Sequence, residues 1–224
     1  LSITATTGNI TQGVALTVTG TSSFTTSASN ATITLDQANA FNGAVALNTN
    51  GSSGNATVVD ASGLDLGAST VGGNLVATAT TGNMTDSGVL TIAGTSSFTT
   101  SANNGTITLN NANAFTGAVV LNTTGSTGHA TVVNAVALDL GASTVGGNLA
   151  ATATTGNMTD SGNLTIAGTS SFTTSANNAT IALDTTTNAF AGAVTITTND
   201  DSGTDADVTI DNGTTALVLA ASTI

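Results

Sequence analysis

The sequence lacks seven amino-acid types, and their absence excludes several classes of partner. It contains no Lys, Arg, Glu, Cys, Pro, Trp or Tyr, and all 12 of its acidic residues are Asp. The formal net charge is −12. Binding to the phosphate backbone of a nucleic acid requires Lys or Arg, so this composition excludes it. The same charge disfavours binding to an anionic membrane surface, and we expect no membrane insertion.

The missing residue types also leave little chemistry for an enzyme. Without Lys, Arg, Glu, Cys and Tyr, most acid, base and nucleophile arrangements cannot be assembled. The single histidine, His129 in "GSTGHATVV", replaces Asn55 of "GSSGNATVV", which indicates a turn residue. Paired Asp residues can hydrolyse glycosidic bonds, but Asp65 and Asp139 in "LDLG" are replaced by Val218 in "LVLA". We therefore predict a non-enzymatic protein without a catalytic or cofactor-binding residue.

The chain is built from a repeat of 74 residues. The phrase "VGGNLVATATTGNMTDSG" at 71–88 returns as "VGGNLAATATTGNMTDSG" at 145–162, and "LSITATTGNITQG" opens the chain in the same frame. Long internal repeats of this kind indicate a solenoid, a propeller or an array. We predict a single β-solenoid segment (1–224) of a longer array, with repeats 1–74, 75–148 and 149–224.

Apolar residues alternate with small hydroxyl residues along most of each repeat. In "LTIAG" and "TITL", for example, Leu90, Ile92, Ile107 and Leu109 are expected to point inward. A period of two is typical of a strand with one buried face, and it argues against the disorder that a polar, Gly-rich composition would otherwise suggest. The absence of Pro suits strands that are paired on both sides. We predict an all-β, right-handed parallel β-helix with about three coils of three short strands in each repeat.

The repeat also resembles a known family. The stretch "VGGNLVATATTGNMTDSGVLTIAGTSSFTTSANNGTITLNNANAFTGAVVL" is similar to the repeat region of filamentous haemagglutinin-type adhesins of Gram-negative bacteria, and the likeness covers the whole chain. The resemblance implies a large β-helical protein that is exported by two-partner secretion and serves in attachment, aggregation or biofilm matrix. On this basis we expect an extracellular or cell-surface stalk or filament segment that associates with neighbouring repeats or filaments.

Two further patterns leave alternatives open. Outward Thr pairs such as Thr78 with Thr80 and Thr152 with Thr154 are typical of ice-binding solenoids, and a Thr- and Asn-rich face also suits glycans. A simple preference of Thr for strands explains the same pattern. The chain has eleven Asn-x-Ser/Thr triplets, so glycosylation is a second hypothesis beside a role in corners. These triplets include Asn9, Asn30, Asn83, Asn104 and Asn157.

The third repeat carries an acidic stretch that the other two lack. "TTNDDSGTDADVTIDNG" at 197–213 contains five of the 12 Asp residues. Calcium binds six to eight oxygen atoms from carboxylates, carbonyls and water. Asp200, Asp201 and Asp205 could supply several from one loop, with Asp207 on the following strand. We therefore predict a calcium site at these four residues, with a solvated acidic turn as the alternative; calcium should raise the melting temperature only if the site exists.

Overall fold

A computed structural model of the chain describes residues 1–200 and 206–224. The described residues form strands and turns and contain no helix. Most strands are short, because a turn sequence such as "TTGN" or "VGGN" follows every few alternating residues. The strands in chain order are β1 (Ser2–Ala5), β2 (Ile10–Thr11), β3 (Thr17–Val18), β4 (Ser22–Ser29), β5 (Ile33–Phe41), β6 (Val45–Asn50), β7 (Ala56–Asp60), β8 (Leu64–Leu66), β9 (Ser69–Val71), β10 (Leu75–Ala79), β11 (Met84–Asp86), β12 (Leu90–Ile92), β13 (Ser96–Asn103), β14 (Ile107–Phe115), β15 (Val119–Thr124), β16 (Ala130–Asn134), β17 (Leu138–Leu140), β18 (Ser143–Val145), β19 (Leu149–Ala153), β20 (Met158–Asp160), β21 (Leu164–Ile166), β22 (Ser170–Asn177), β23 (Ile181–Leu183), β24 (Ala189–Phe190), β25 (Val194–Asn199) and β26 (Val208–Ile210).

The strands stack in parallel as two sheets, one of 12 strands and one of 14. Leu75 of β10, for example, lies beside Ala56 of the coil before it and Ser96 of the coil after it. The path through each sheet crosses ten coils, and nine spacings of about 4.8 Å between them make the rod roughly 43 Å long. The prediction of an all-β parallel β-helix is confirmed.

Each repeat supplies seven segments, which alternate between the two sheets. In the first repeat these are β1, β2 with β3, β4, β5, β6, β7, and β8 with β9. Seven is an odd number, so β1 and β19 lie in the 12-stranded sheet whereas β10, which opens the second repeat, lies in the 14-stranded sheet. The expected value of about three coils per repeat is thereby refined to three and a half.

A single apolar core lies between the two sheets. The residues predicted to point inward, such as Leu90 and Ile107, are fully buried. The six Phe residues recur at two places in the repeat and form three edge-to-face pairs inside the core, with ring centroids 5.5–6.0 Å apart. Leu1 differs from its equivalents Leu75 and Leu149, because it is 50% exposed in the first coil whereas they are buried.

Two corners in each of the first two repeats require a left-handed backbone. Asn30 and Asn104 have a positive φ of 64°, and Gly51 and Gly125 have φ values of 83° and 82°. Asn and Gly are the residues that adopt this conformation at the least cost. These Asn and Gly residues therefore mark corners at which the chain passes from one segment to the next.

Candidate functional site

The predicted calcium site is described only in part. Asp200 is exposed after the end of β25, and Asp207 is exposed just before β26. Asp201 and Asp205 lie outside the described residues. Within residues 1–200 and 206–224, no group of three or more Asp or His side chains is placed to hold a metal ion. The four-residue site therefore stays a prediction.

A largely buried column of polar side chains is the feature of each repeat that the sequence reasoning missed. The column of the second repeat contains Asp86, which begins the sequence "DSG", typical of a turn, but closes β11 with its side chain buried. The equivalent positions recur in each repeat with similar partners. The columns consist of Gln12, Asn39 and Asp60, of Asp86, Asn113 and Asn134, and of Asp160, Asn188 and Asn212.

These columns stand where the strand ladder is interrupted. In the second repeat, the β14–β16 pairing shifts register between Leu109 and Asn113. Asp86 accepts hydrogen bonds there from the backbone N–H of Asn110 (3.0 Å) and Asn111 (3.3 Å) and from Nδ2 of Asn113 (2.7 Å). Buried backbone N–H groups need a partner, so the polar side chains replace the missing ladder bonds.

The same geometry explains how a carboxylate can be buried in a chain without Lys or Arg. Asp60 is fully buried, and its oxygens accept from the backbone N–H of Phe41 (3.2 Å) and Ser62 (3.0 Å) and from the Ser62 hydroxyl (3.0 Å). Hydrogen bonds from N–H and O–H groups offset much of the cost of removing a carboxylate from water. Each column holds a single Asp, so it offers a structural bond and no carboxylate pair for hydrolysis.

A second polar ladder runs along the outer corners. The Oδ1 atom of Asn83 accepts a hydrogen bond from the backbone N–H of Thr106 in the next coil, at 2.9 Å. Asn55 accepts in the same way from Asn74 N (2.8 Å), and His129 does so with Nδ1 from Asn148 N (2.9 Å). The prediction that His129 replaces a turn residue is confirmed.

Five Asn residues of the predicted glycosylation triplets belong to this outer ladder. Asn9, Asn30, Asn83, Asn104 and Asn157 are exposed, and Oδ1 of each accepts from a backbone N–H about one coil further along the chain. This contact gives each of them a role in stacking the corners. Glycosylation of these residues stays a prediction, and an intact-mass measurement would test it.

Outward-facing Thr residues form columns on both sheets. Neighbours in a column come from consecutive coils, and their spacing along the rod is about 4.8 Å. Thr78 and its sequence equivalent Thr152 lie in different columns on opposite sheets. The columns are Thr78, Thr99, Asn122, Thr144 and Thr165 on the 14-stranded sheet, and Thr152, Thr173, Thr197 and Thr223 on the 12-stranded sheet.

Apolar side chains are exposed at both end coils. At the far end, Leu219 is 62% exposed and Ile224 is 67% exposed. They line an open recess together with Ile196, Val208, Ile210 and Leu217. The hydrophobic residues that are only partly buried against the core all lie in the first and last coils: Ile3, Ala5, Leu16, Val18, Val208 and Ile210.

These features define a parallel β-solenoid repeat protein with hydrogen-bonded corners. A family described as repeats of unknown function (DUF5649) matches residues 1–48, 53–122 and 127–197, and the chain therefore belongs to this family. The second and third matched stretches begin 74 residues apart, which is the period of the repeat. Comparisons with curated proteins and with solved structures gave no match. The described residues include no helix that could span a membrane.

Proposed function

We propose that this chain is a structural, non-enzymatic stalk or filament segment of a secreted bacterial surface or biofilm adhesin. Its role is to support attachment or cell aggregation outside the cell. The observation that carries the proposal is the continuous parallel pairing of β1, β4 and β6 and of every later coil up to β25. The resemblance to filamentous haemagglutinin-type repeats supports the same role.

The stacking pattern suits a load-bearing rod. Each coil is joined to the next by backbone hydrogen bonds in both sheets, by the buried columns and by the outer Asn ladder. Force along the rod axis therefore acts on many hydrogen bonds at each coil rather than on one contact. A net charge of −12 also keeps neighbouring rods apart in solution.

Single-molecule pulling tests the stalk role directly. The chain is held at its two ends between folded handle domains, and we expect it to resist forces that unfold those handles. The Thr99→Val variant is a control that keeps the strand but removes an outward hydroxyl, and its unfolding force should not change. Extension of the chain at forces well below those of the handles would contradict the stalk role.

The Thr columns favour one competing function, which is binding to a glycan or to ice. Four Thr and one Asn stand in adjacent coils on the 14-stranded sheet, so a regular array of hydroxyls faces outward. A binding face should lose its ligand when Thr99→Glu places a charge in the array, whereas Thr173→Glu on the opposite sheet should have no effect. Glycan-array binding or thermal hysteresis that shows this difference would establish the binding role in place of the stalk.

A further inference from the structure

His129 is the only side chain of this sequence that ordinarily changes its charge between about pH 5 and 8. It lies at a corner where one coil contacts the next. We propose that this corner is a pH-sensitive joint, which is closed while the imidazole of His129 is neutral and opens locally when the imidazole takes up a proton. This inference goes beyond the proposed stalk function and does not depend on it.

The joint depends on one hydrogen bond between two coils. The backbone N–H of Asn148 donates to Nδ1 of His129 at 2.9 Å. A ring nitrogen that accepts a hydrogen bond carries no proton, so the neutral imidazole holds its proton on Nε2. In a protonated imidazole both ring nitrogens are donors. Protonation would therefore place two N–H groups opposite each other and remove the acceptor for Asn148.

The ring also lies directly on a glycine of the next coil. A Cβ atom at Gly147 would lie only 2.5 Å from Nδ1 of His129. The backbone of His129 is fixed as well, because its N–H donates to Thr127 O and its C=O accepts from Ile107 N, both at 2.9 Å. A protonated ring can therefore leave Asn148 only by rotating its side chain towards water, which the partial exposure of His129 permits.

Backbone hydrogen bonds on both sides limit how far the joint opens. Ala130 N donates to Asn148 O at 2.8 Å, and Gly147 N donates to Gly128 O at 3.0 Å. Neither bond involves a titratable group. Since a solenoid can open locally, we expect protonation to expose the N–H of Asn148 while the rod stays folded.

The segments that contact this corner contain no carboxylate. They are residues 125–134 around His129 itself, residues 104–107 of the coil before and residues 146–149 of the coil after, and none of them is Asp. The acid nearest in sequence, Asp139, lies on β17 in the other sheet. A protonated imidazole therefore gains no ion pair here that would offset the lost hydrogen bond.

The direction of the pH effect follows from this geometry. In the unfolded chain the imidazole binds a proton freely, whereas in the folded rod the proton displaces the hydrogen bond from Asn148. The unfolded state therefore binds more protons, and stability rises with pH. The joint is closed near about pH 7 and opens as the pH falls towards about 5.

The first repeat contains the same corner without a titratable group. Asn55 takes the place of His129, and its Oδ1 accepts from the N–H of Asn74 at 2.8 Å. Asn74 and Asn148 both stand in the sequence Gly-Asn-Leu, so their unprotected amides exchange hydrogen at the same intrinsic rate. The amide of Asn74 is therefore a matched reference for that of Asn148 within one molecule.

Hydrogen exchange of these two amides, measured by NMR on the full 224-residue chain at about pH 7 and about pH 5, tests the proposal. We expect exchange of Asn148 relative to Asn74 to accelerate about tenfold at the lower pH, which corresponds to the loss of one hydrogen bond. His129→Asn should abolish this change. The swapped variant, Asn55→His with His129→Asn, should reverse it, so that Asn74 accelerates relative to Asn148. Circular dichroism verifies that each protein is folded at both pH values.

Each comparison can overturn the proposal. A ratio of the two exchange rates that does not change with pH in the wild type would show that protonation of His129 does not open the corner. A ratio that changes equally in His129→Asn would assign the effect to another group. If the swapped variant does not reverse the effect, the hydrogen bond to the imidazole is not its cause. None of these results bears on the resistance of the rod to pulling, so the stalk role is tested separately.

Discussion

The second and third repeats have almost the same sequence, but their equivalent strands lie in opposite sheets. Residues 75–109 and 149–183 agree at 31 of 35 positions, yet β10 belongs to one sheet and β19 to the other. Their Phe pairs nevertheless have the same centroid distance of 5.5 Å. The conformation of a segment therefore depends on its own sequence and on the neighbouring coils, and not on the sheet to which it belongs.

The two repeats differ where the third is longer. β14 covers nine residues, whereas the equivalent region of the third repeat is divided into β23 and β24. The buried column survives this change, since Asn188 Nδ2 still donates to Asp160 at 2.6 Å. Insertions are thus tolerated in the corners provided that the column keeps its hydrogen bonds.

The largest expected effect comes from truncating the paired rings. Phe98→Ala and Phe172→Ala should each destabilise the surrounding coils by about 3–5 kcal/mol, since both rings are fully buried. A solenoid can open locally, so amide hydrogen exchange of the adjoining strands is the appropriate measurement. The two losses should agree within about 1 kcal/mol. A much smaller loss for Phe172 would show that the core of the third repeat is looser than that of the second.

The buried carboxylates should show the next largest effect. Asp86→Ala would leave two backbone N–H groups and the Asn113 amide without an acceptor, which should cost about 3 kcal/mol. Asp160 is less buried, so Asp160→Ala should cost about half as much. Asp65→Ala, at an outward position of β8, is the control and should change stability by less than about 0.5 kcal/mol. Equal losses at all three positions would mean that burial of the carboxylate is not the cause.

The sequence predicted the strands of this structure better than its corners. Alternation identified the inward residues Leu90, Ile92, Ile107 and Leu109, because a period of two separates the faces of a strand. It did not reveal that the chain passes to the other sheet seven times per repeat, because alternation carries no information on how far each corner turns. Asp86 stands in "DSG", and because Asp, Ser and Gly are common in turns, this local sequence predicts a turn rather than a buried side chain. Asp86 stands 27 residues before Asn113, and the same pair recurs in the third repeat as Asp160 and Asn188; this recurrence was the available signal for the column.

Replacing His129 should have a smaller effect on the free energy of unfolding. The equivalent residue of the first repeat, Asn55, suggests the variant that tests its role. His129→Ala removes the acceptor for the backbone N–H of Asn148 and should cost about 0.5–1.5 kcal/mol. His129→Asn should restore the stability of the wild type, because Asn55 makes the equivalent bond at 2.8 Å in the first repeat. Thermal unfolding of the three proteins is sufficient to measure this difference. If the Asn variant is as unstable as the Ala variant, the ring contributes through packing rather than through its hydrogen bond.

The smallest expected effect concerns a buried Ser that recurs in all three repeats as Ser22, Ser96 and Ser170. The Oγ atom of each is buried without a hydrogen-bond partner. Burying an unpaired hydroxyl is unfavourable, so Ser96→Ala and Ser170→Ala should leave stability unchanged or raise it by up to about 1 kcal/mol. Ser143→Ala is the matched control, because this buried Oγ donates to Gly141 O (2.8 Å) and accepts from Leu121 N (3.0 Å). It should destabilise the rod by about 1–3 kcal/mol, whereas a comparable loss for Ser96→Ala would show that its hydroxyl is hydrogen bonded in solution.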